Sequence, residues 1–196
     1  MHGLGGDLLN FLAADRVELD IQPSHTDTGL MSFIDSHLAP ASRKSGQIKL
    51  HSAEEFEGMR RVGRLAGEAL DMLIPMVKPG VTTQALDEVI YEFSLARGAY
   101  PAPLDYRGYR KSICTSVNDV ICHGIPGDKV LKSGDVVNLD ITVITPAGYY
   151  GDTSRMFMVG EVSVMAKRLT QITFECMWLG IAQVKPGAAL GDIGHV

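Results

Sequence analysis

The chain has little of what would commit it to several broad classes of protein. Its 196 residues hold three cysteines, Cys114, Cys122 and Cys176. An odd number excludes a closed disulfide framework, and the spacing matches no zinc finger or ribbon, so reduced thiols are expected. Positive charge is not in excess either. Lys and Arg number 18 against 23 Asp and Glu, for a net charge of −5, whereas a protein built to hold nucleic acid needs clustered basic residues. No apolar run approaches the length needed to cross a bilayer. The apolar stretch at residues 8–14 is short and lies between Asp7 and Asp15, where a secretory signal would carry basic residues ahead of a longer apolar segment. These absences predict a cytoplasmic protein with no direct hold on nucleic acid or membrane. What is present, 45% hydrophobic and 21% charged residues, suffices for one sizeable domain.

Along the chain, order is expected to begin abruptly. Residues 1–46 are rich in Gly, Pro, Ser, Thr, Asp and His, with one possible short helix at residues 7–15, and read as an irregular extension with Met31 a candidate start. Residues 47–196 read as the domain. Ser52-Ala-Glu-Glu55 is a capping box, in which the serine hydroxyl and the glutamate each satisfy an orphan backbone N–H. Phe56, Met59, Val62, Ala66, Ala69, Leu70, Leu73 and Ile74 then recur at helical spacing. A second helix is expected from Thr82 through Leu86, Val89, Ile90 and Phe93 to Gly98. From 100 to 159 the signals change to strands and turns. Residues 136–144 are rich in β-branched side chains, and 156–159 resemble the end of a partner strand. A third helix is expected from Ser163 to Val184.

One tetrapeptide recurs. Val77-Lys78-Pro79-Gly80 follows the first helix and Val184-Lys185-Pro186-Gly187 follows the third, 107 residues later. Pro-Gly commonly ends helices, so the match has an ordinary explanation. It also fits an internal repeat whose second copy is cut short at Val196.

The residues with the most chemistry in prospect are Asp140 and Asp152. Both fall in apparent strands, where aspartate is depleted. Pro146-Ala147-Gly148 suits a three-residue hairpin loop, with proline opening a type I turn and glycine in the left-handed position. That loop pairs Thr145 with Tyr149 and therefore Thr142 with Asp152. Asp140 then lies diagonal to Asp152 on the same face, at about 7–8 Å between Cα atoms. Two carboxylates so placed can share a metal ion or bracket two. A slip of one residue would put them on opposite faces. The alternative reading gives Asp152 a turn-capping role and Asp140 a buried hydrogen bond. His123, ahead of Gly124 and Pro126, stands at a turn where an imidazole can face a cleft, and Asn118-Asp119 reads as ordinary turn material.

Cys-His-Gly-Ile-Pro at 122–126, Asn-Leu-Asp-Ile-Thr-Val-Ile at 138–144 and Gly-Asp-Thr-Ser at 151–154 follow Tyr106-Arg-Gly-Tyr-Arg-Lys-Ser-Ile-Cys-Thr-Ser. In this order they resemble the type I methionine aminopeptidases, and the resemblance runs from about Ile48 to the last residue. It implies an α/β pita-bread fold, a curved antiparallel sheet with helices on its outer face and two pseudo-symmetric halves, the second incomplete here. It implies that Asp140 and Asp152 ligate a dinuclear site of cobalt, manganese, iron or zinc, with Asp152 bridging the two divalent ions. It implies that His123 contacts substrate beside the scissile amide, and that Tyr106, Tyr109 and Cys114 line a pocket for the methionine side chain. Soft, apolar walls suit a flexible thioether.

The implied reaction is metal-assisted removal of the N-terminal methionine from peptides and nascent proteins, by a monomer that acts near the ribosome. The family's remaining ligands, one histidine and two glutamates, belong to the second half-repeat, and Val196 is reached before them. The 196-residue chain is therefore expected to be inactive by itself, and to be poorly soluble or only marginally folded. His195 matches no ligand position. Arg110 stands where many relatives have proline, and Pro103 where some have cysteine. An inactive relative that binds peptides or a partner, and an Xaa-Pro-type aminopeptidase, are the alternatives.

Overall fold

The computed structural model describes residues 50–196, and Ser52–Val196 form one compact unit. The extension expected over 1–46 and the short helix at 7–15 lie outside the described residues. Helix α1 spans Ala53–Leu73. It opens on the capping box: Ser52 Oγ accepts the Glu55 N–H at 3.2 Å and Glu55 Oε2 accepts the Ser52 N–H at 2.7 Å. Helix α2 spans Thr83–Ala96 behind the cap residue Thr82. Four strands follow, β1 at Tyr100–Pro101, β2 at Ile113–Val117, β3 at Val136–Ile144 and β4 at Tyr150–Met158. A 3-10 turn at Tyr106–Gly108 separates β1 from β2, and helices α3 (Val164–Ala182) and α4 (Leu190–His195) close the chain.

All strand pairings are antiparallel. β3 runs through the middle of the sheet, with β1 and β2 sharing one of its edges and β4 covering the other. The hairpin register is the one the loop chemistry predicts. Thr145 pairs with Tyr149 through its N–H (3.1 Å), Gly148 takes φ 79°, and Thr142 stands opposite Asp152. Along β3, Val137, Leu139, Ile141 and Val143 are fully buried while the residues between them are half-buried, the period-2 alternation of a sheet with one core face.

That core face carries α1 against β3 and β4, and α2 against β1 and β2. Val62, Ala66, Ala69, Leu70 and Leu73 of α1 and Leu86, Ile90 and Phe93 of α2 are buried there. The apolar face expected for α1 needs correction at its ends. Phe56, Met59 and Ile74 are about half exposed, and the buried face runs through Gly58 and Leu65 instead. The cause is a close approach: a Cβ on Gly58 would stand 2.5 Å from the Tyr149 ring. The helix therefore turns its side-chain-free position toward the hairpin loop.

The tetrapeptide repeat has a common geometry. Gly80 and Gly187 adopt φ 94° and 87°, and in each copy the next helix is capped two residues on, at Thr82 and Ala189. At the same offset of 107, Leu169, Ile172, Cys176 and Met177 of α3 take the places of Val62, Leu65, Ala69 and Leu70 of α1. In α1 these positions are buried, whereas in α3 Leu169 is 67% exposed and Met177 47%. Helix α3 packs on α4 at Gly180 and Ile193, and Gly180 is its one buried residue.

Candidate active site

The face of the sheet turned away from α1 holds Asn138, Asp140 and Thr142 of β3 beside Asp152 and Ser154 of β4. Asp140 is half-buried, with Cys114 of β2 opposite it on one side and Ser154 of β4 on the other. Asp152, opposite Thr142, lies diagonal to Asp140 and is exposed. Burial pushes the Asp140 carboxyl above the usual aspartate range. The negative charge of Asp152 adds to that shift, and His123 opposes it.

His123 reaches this face through an unusual backbone. Its φ is 54°, in the left-handed region that non-glycine residues rarely occupy. The strain is held by the segment that follows, which lies along β2. Thr115 N–H donates to the Gly124 carbonyl at 2.7 Å, and Gly124 N–H donates to Ser116 Oγ at 3.2 Å. A Cβ on residue 124 would stand 2.2 Å from the Thr115 carbonyl oxygen, so only glycine permits the approach.

Tyr109 and Cys114 form the wall beside Asp140. The Tyr109 hydroxyl donates to the Ile113 carbonyl at 2.7 Å and lies 3.5 Å from Cys114 Sγ. Burial raises both groups above their ordinary pKa values, so both are neutral near pH 7. Tyr106, on the 3-10 turn, is half exposed under the Arg107 guanidinium, 5.4 Å from its ring centre. No contact described for Tyr106 ties it to the aspartates. Of the residues expected at the site, the fold therefore gathers Asp140, Asp152, His123, Cys114 and Tyr109, and Tyr106 stands apart on the exposed turn. His195 ends α4, exposed on the surface. Arg110 pairs with Asp105 at 2.6 Å on the exposed loop.

Two residues do more than the sequence suggested. Asn118, at φ 55°, joins β2 to β3: its Nδ2 donates to Asp135 Oδ1 at 2.8 Å and its Oδ1 accepts the Val136 N–H at 3.0 Å. Asp87 of α2 is buried and accepts two backbone N–H groups from the start of β2, those of Ser112 at 2.6 Å and Ile113 at 3.1 Å. A signal for Asp87 was available. Residues 83, 87 and 94 share one helical face with Ile90, so a carboxylate at 87 is directed inward.

The pair fits a divalent cation. Two carboxylates share a face, Asp140 is partly desolvated, and the charge of Asp152 adds to the cost of ionising it, a cost that a cation beside them removes. They fit as part of a ligand set, since among the described residues no group of three or more His, Cys, Asp or Glu side chains is placed to hold a metal.

Comparison with known proteins agrees with this chemistry. The model of metallopeptidase family M24 matches residues 57–196. The methionine aminopeptidase of Rickettsia prowazekii is 54% identical over 148 residues, which cover 76% of this chain and 57% of that protein. Its crystal structure superposes with a TM-score of 0.74, covering 76% of this chain and 60% of that one. The methionine aminopeptidase of Thermotoga maritima gives a TM-score of 0.70 at 32% identity, over 76% of this chain and 60% of its own. The prolidase of Pyrococcus furiosus, at 19% identity and a TM-score of 0.64 over 74% of this chain and 41% of its own, shares the fold alone.

The chain belongs to metallopeptidase family M24. Its mixed α/β architecture around an antiparallel sheet is the pita-bread fold of these neighbours, and the family implies chemistry with a divalent metal. The chain spans little more than half the length of the curated relatives it matches, 57% and 58% for the first two.

Proposed function

We propose that this chain carries the aspartate-bearing part of an enzyme that removes the N-terminal methionine from peptides and nascent proteins. The observation that carries the reading is the shared face of Asp140, Asp152 and the Tyr109–Cys114 wall, in a chain 54% identical to a methionine aminopeptidase.

In this reading Asp140 and Asp152 would hold two divalent cations of cobalt, manganese, iron or zinc. When bound, such ions supply Lewis-acid stabilisation and a more acidic water. The residues of the chain supply the rest. Tyr109 and Cys114, neutral and largely dry, receive the methionine thioether, and Tyr106 lies at the pocket's outer rim. His123, exposed beside Asp140, offers an imidazole N–H to the substrate next to the scissile amide. The enzyme acts as a monomer in the cytoplasm, on chains leaving the ribosome, which suits a net charge of −5 and the absence of a membrane-length apolar helix among the described residues.

With no group of three or more metal-ligating side chains placed to hold an ion among the described residues, the 196-residue chain binds these metals weakly and releases no methionine by itself. The test is a chimera in which this chain is continued by the remaining sequence of the Rickettsia prowazekii relative, assayed on a Met-Ala peptide with each metal. Methionine release that Asp140→Asn and Asp152→Asn each abolish supports the reading. A folded, metal-loaded chimera without activity overturns it.

A further inference from the structure

We propose that Asp87 is a positioning residue for the methionine pocket, anchoring the start of β2 and with it Tyr109 and Cys114. The inference rests on the reading above, in which those two residues line that pocket.

Asp87 is 5% exposed on the inner face of α2, where a carboxylate is costly unless its oxygens are occupied. None of the ion pairs among the described residues involves it. Instead Oδ1 accepts both the Ser112 and the Ile113 N–H. A charged acceptor makes each of these bonds stronger than a neutral one would be. The anchored residues lead directly to the pocket. The Ile113 carbonyl receives the Tyr109 hydroxyl at 2.7 Å, and Cys114 is next in the chain, in register with Asp140. One bonded path therefore runs from the interior of α2 to the aspartate face. The acceptor for Tyr109 is thus fixed by the held Ser112 and Ile113 N–H groups together with the pairing of Ile113 opposite Ile141 in β3. The neighbouring segment offers little else, since Tyr106 through Arg110 lie on an exposed or half-exposed turn.

The test compares the full 196-residue wild type with Asp87→Asn and Asp87→Ala. The asparagine keeps an acceptor oxygen at the same place and loses the charge; the alanine removes the acceptor. The readout is the alkylation rate of each thiol, followed by peptide mass mapping. Cys122 and Cys176 are exposed and serve as internal references. Asp87→Ala should speed labelling of Cys114 by roughly 10-fold or more, since each of the two lost hydrogen bonds to a charged group is by itself of that order. Asp87→Asn should stay within about 3-fold of wild type. Rescue by asparagine is what a general loss of stability would not produce. If the alanine variant does not fold, Asp87→Ser carries the same comparison.

Equal Cys114 labelling in all variants overturns the positioning role. So does an increase of the same size in the asparagine variant. Protection of Cys114 by excess Met-Ala peptide is measured in parallel. Protection in wild type that is lost in the alanine variant and kept in the asparagine variant supports the full proposal. Absence of protection in wild type overturns the pocket reading instead, while the labelling rates still decide the anchoring.

Discussion

Replacing Gly151 with alanine adds one methyl group where β4 lies directly against the backbone of α1. A Cβ there would lie 2.4 Å from the Val62 carbonyl oxygen, 2.8 Å from its carbon and 3.0 Å from Val62 Cγ2. Two of the three atoms are helix backbone, so no rotamer change relieves the clash, and β4 must move off α1. Overpacking of this kind costs about 1–3 kcal/mol, and a rigid opposing atom places this case near 3. Stability for a domain of this size is about 5–15 kcal/mol, so the loss is a sizeable fraction.

The control is the same substitution at Gly67, in the middle of α1, where nothing lies within 4 Å of the added carbon. There alanine should stabilise by about 0.5–1 kcal/mol, because glycine is a poor helix former. Urea denaturation followed by circular dichroism measures both. The expected result is a midpoint lowered by Gly151→Ala and raised by Gly67→Ala, with a constant m-value. A Gly151→Ala variant within about 0.5 kcal/mol of wild type, the range of an ordinary surface change, would refute the claim that α1 and β4 are locked by this contact.

Further outcomes follow from the site and its supports. In the metal-free chain the Asp140 carboxyl is held above its ordinary value of 3.8 by burial and by Asp152. A raised folded-state pKa contributes stability below the unfolded value and loses it as pH rises through the folded one. Asp140→Asn should therefore match wild type near pH 3 and become progressively more stable than it toward pH 7 in urea titrations; a difference that does not change with pH would contradict this. Asn118→Ala removes both side-chain hydrogen bonds, to Asp135 and to the Val136 N–H, and places alanine at φ 55°. It should cost about 2 kcal/mol, with Asn118→Gly recovering up to 1 of that. The same change frees Asp135, whose carboxyl the Asn118 amide holds below the usual range, so its titration by NMR should move up. On α3, Leu169→Lys with Met177→Lys should raise the soluble fraction of the 196-residue chain and shift its stability by less than about 0.5 kcal/mol, since both side chains stand largely in solvent.

What the sequence made legible was local. The capping box at Ser52 involves residues three apart, and the loop at 146–148 sets the hairpin register through its own turn chemistry. Both could be read because each is decided within a few residues. Asp140 and Asp152 inherited that legibility, since the register alone puts them on one face. The parts that were missed depend on contacts between distant segments. Asp87 meets Ser112 across 25 residues of chain, and Gly58 is buried because Tyr149 lies over it. Asn118 resembles turn material until Asp135 is placed beside it. Helix α3 shows the complementary limit: its apolar spacing is plain in the sequence, yet spacing alone does not say what, if anything, covers a helix.

The hairpin that carries the two aspartates also bears on the order of folding. β3 and β4 are joined by a short turn, and strand pairs of such low sequence separation form in about 1–10 μs. The packing of α1 on β4 closes a far longer loop and comes later. The two carboxylates thus meet in a nearly solvated ribbon, where their repulsion is weak, before the core that desolvates Asp140 is in place. Most of the electrostatic cost then arises on the late, unfolding-limb side of the barrier. Repulsion between these side chains should leave the folding rate of the metal-free chain nearly unchanged and speed its unfolding.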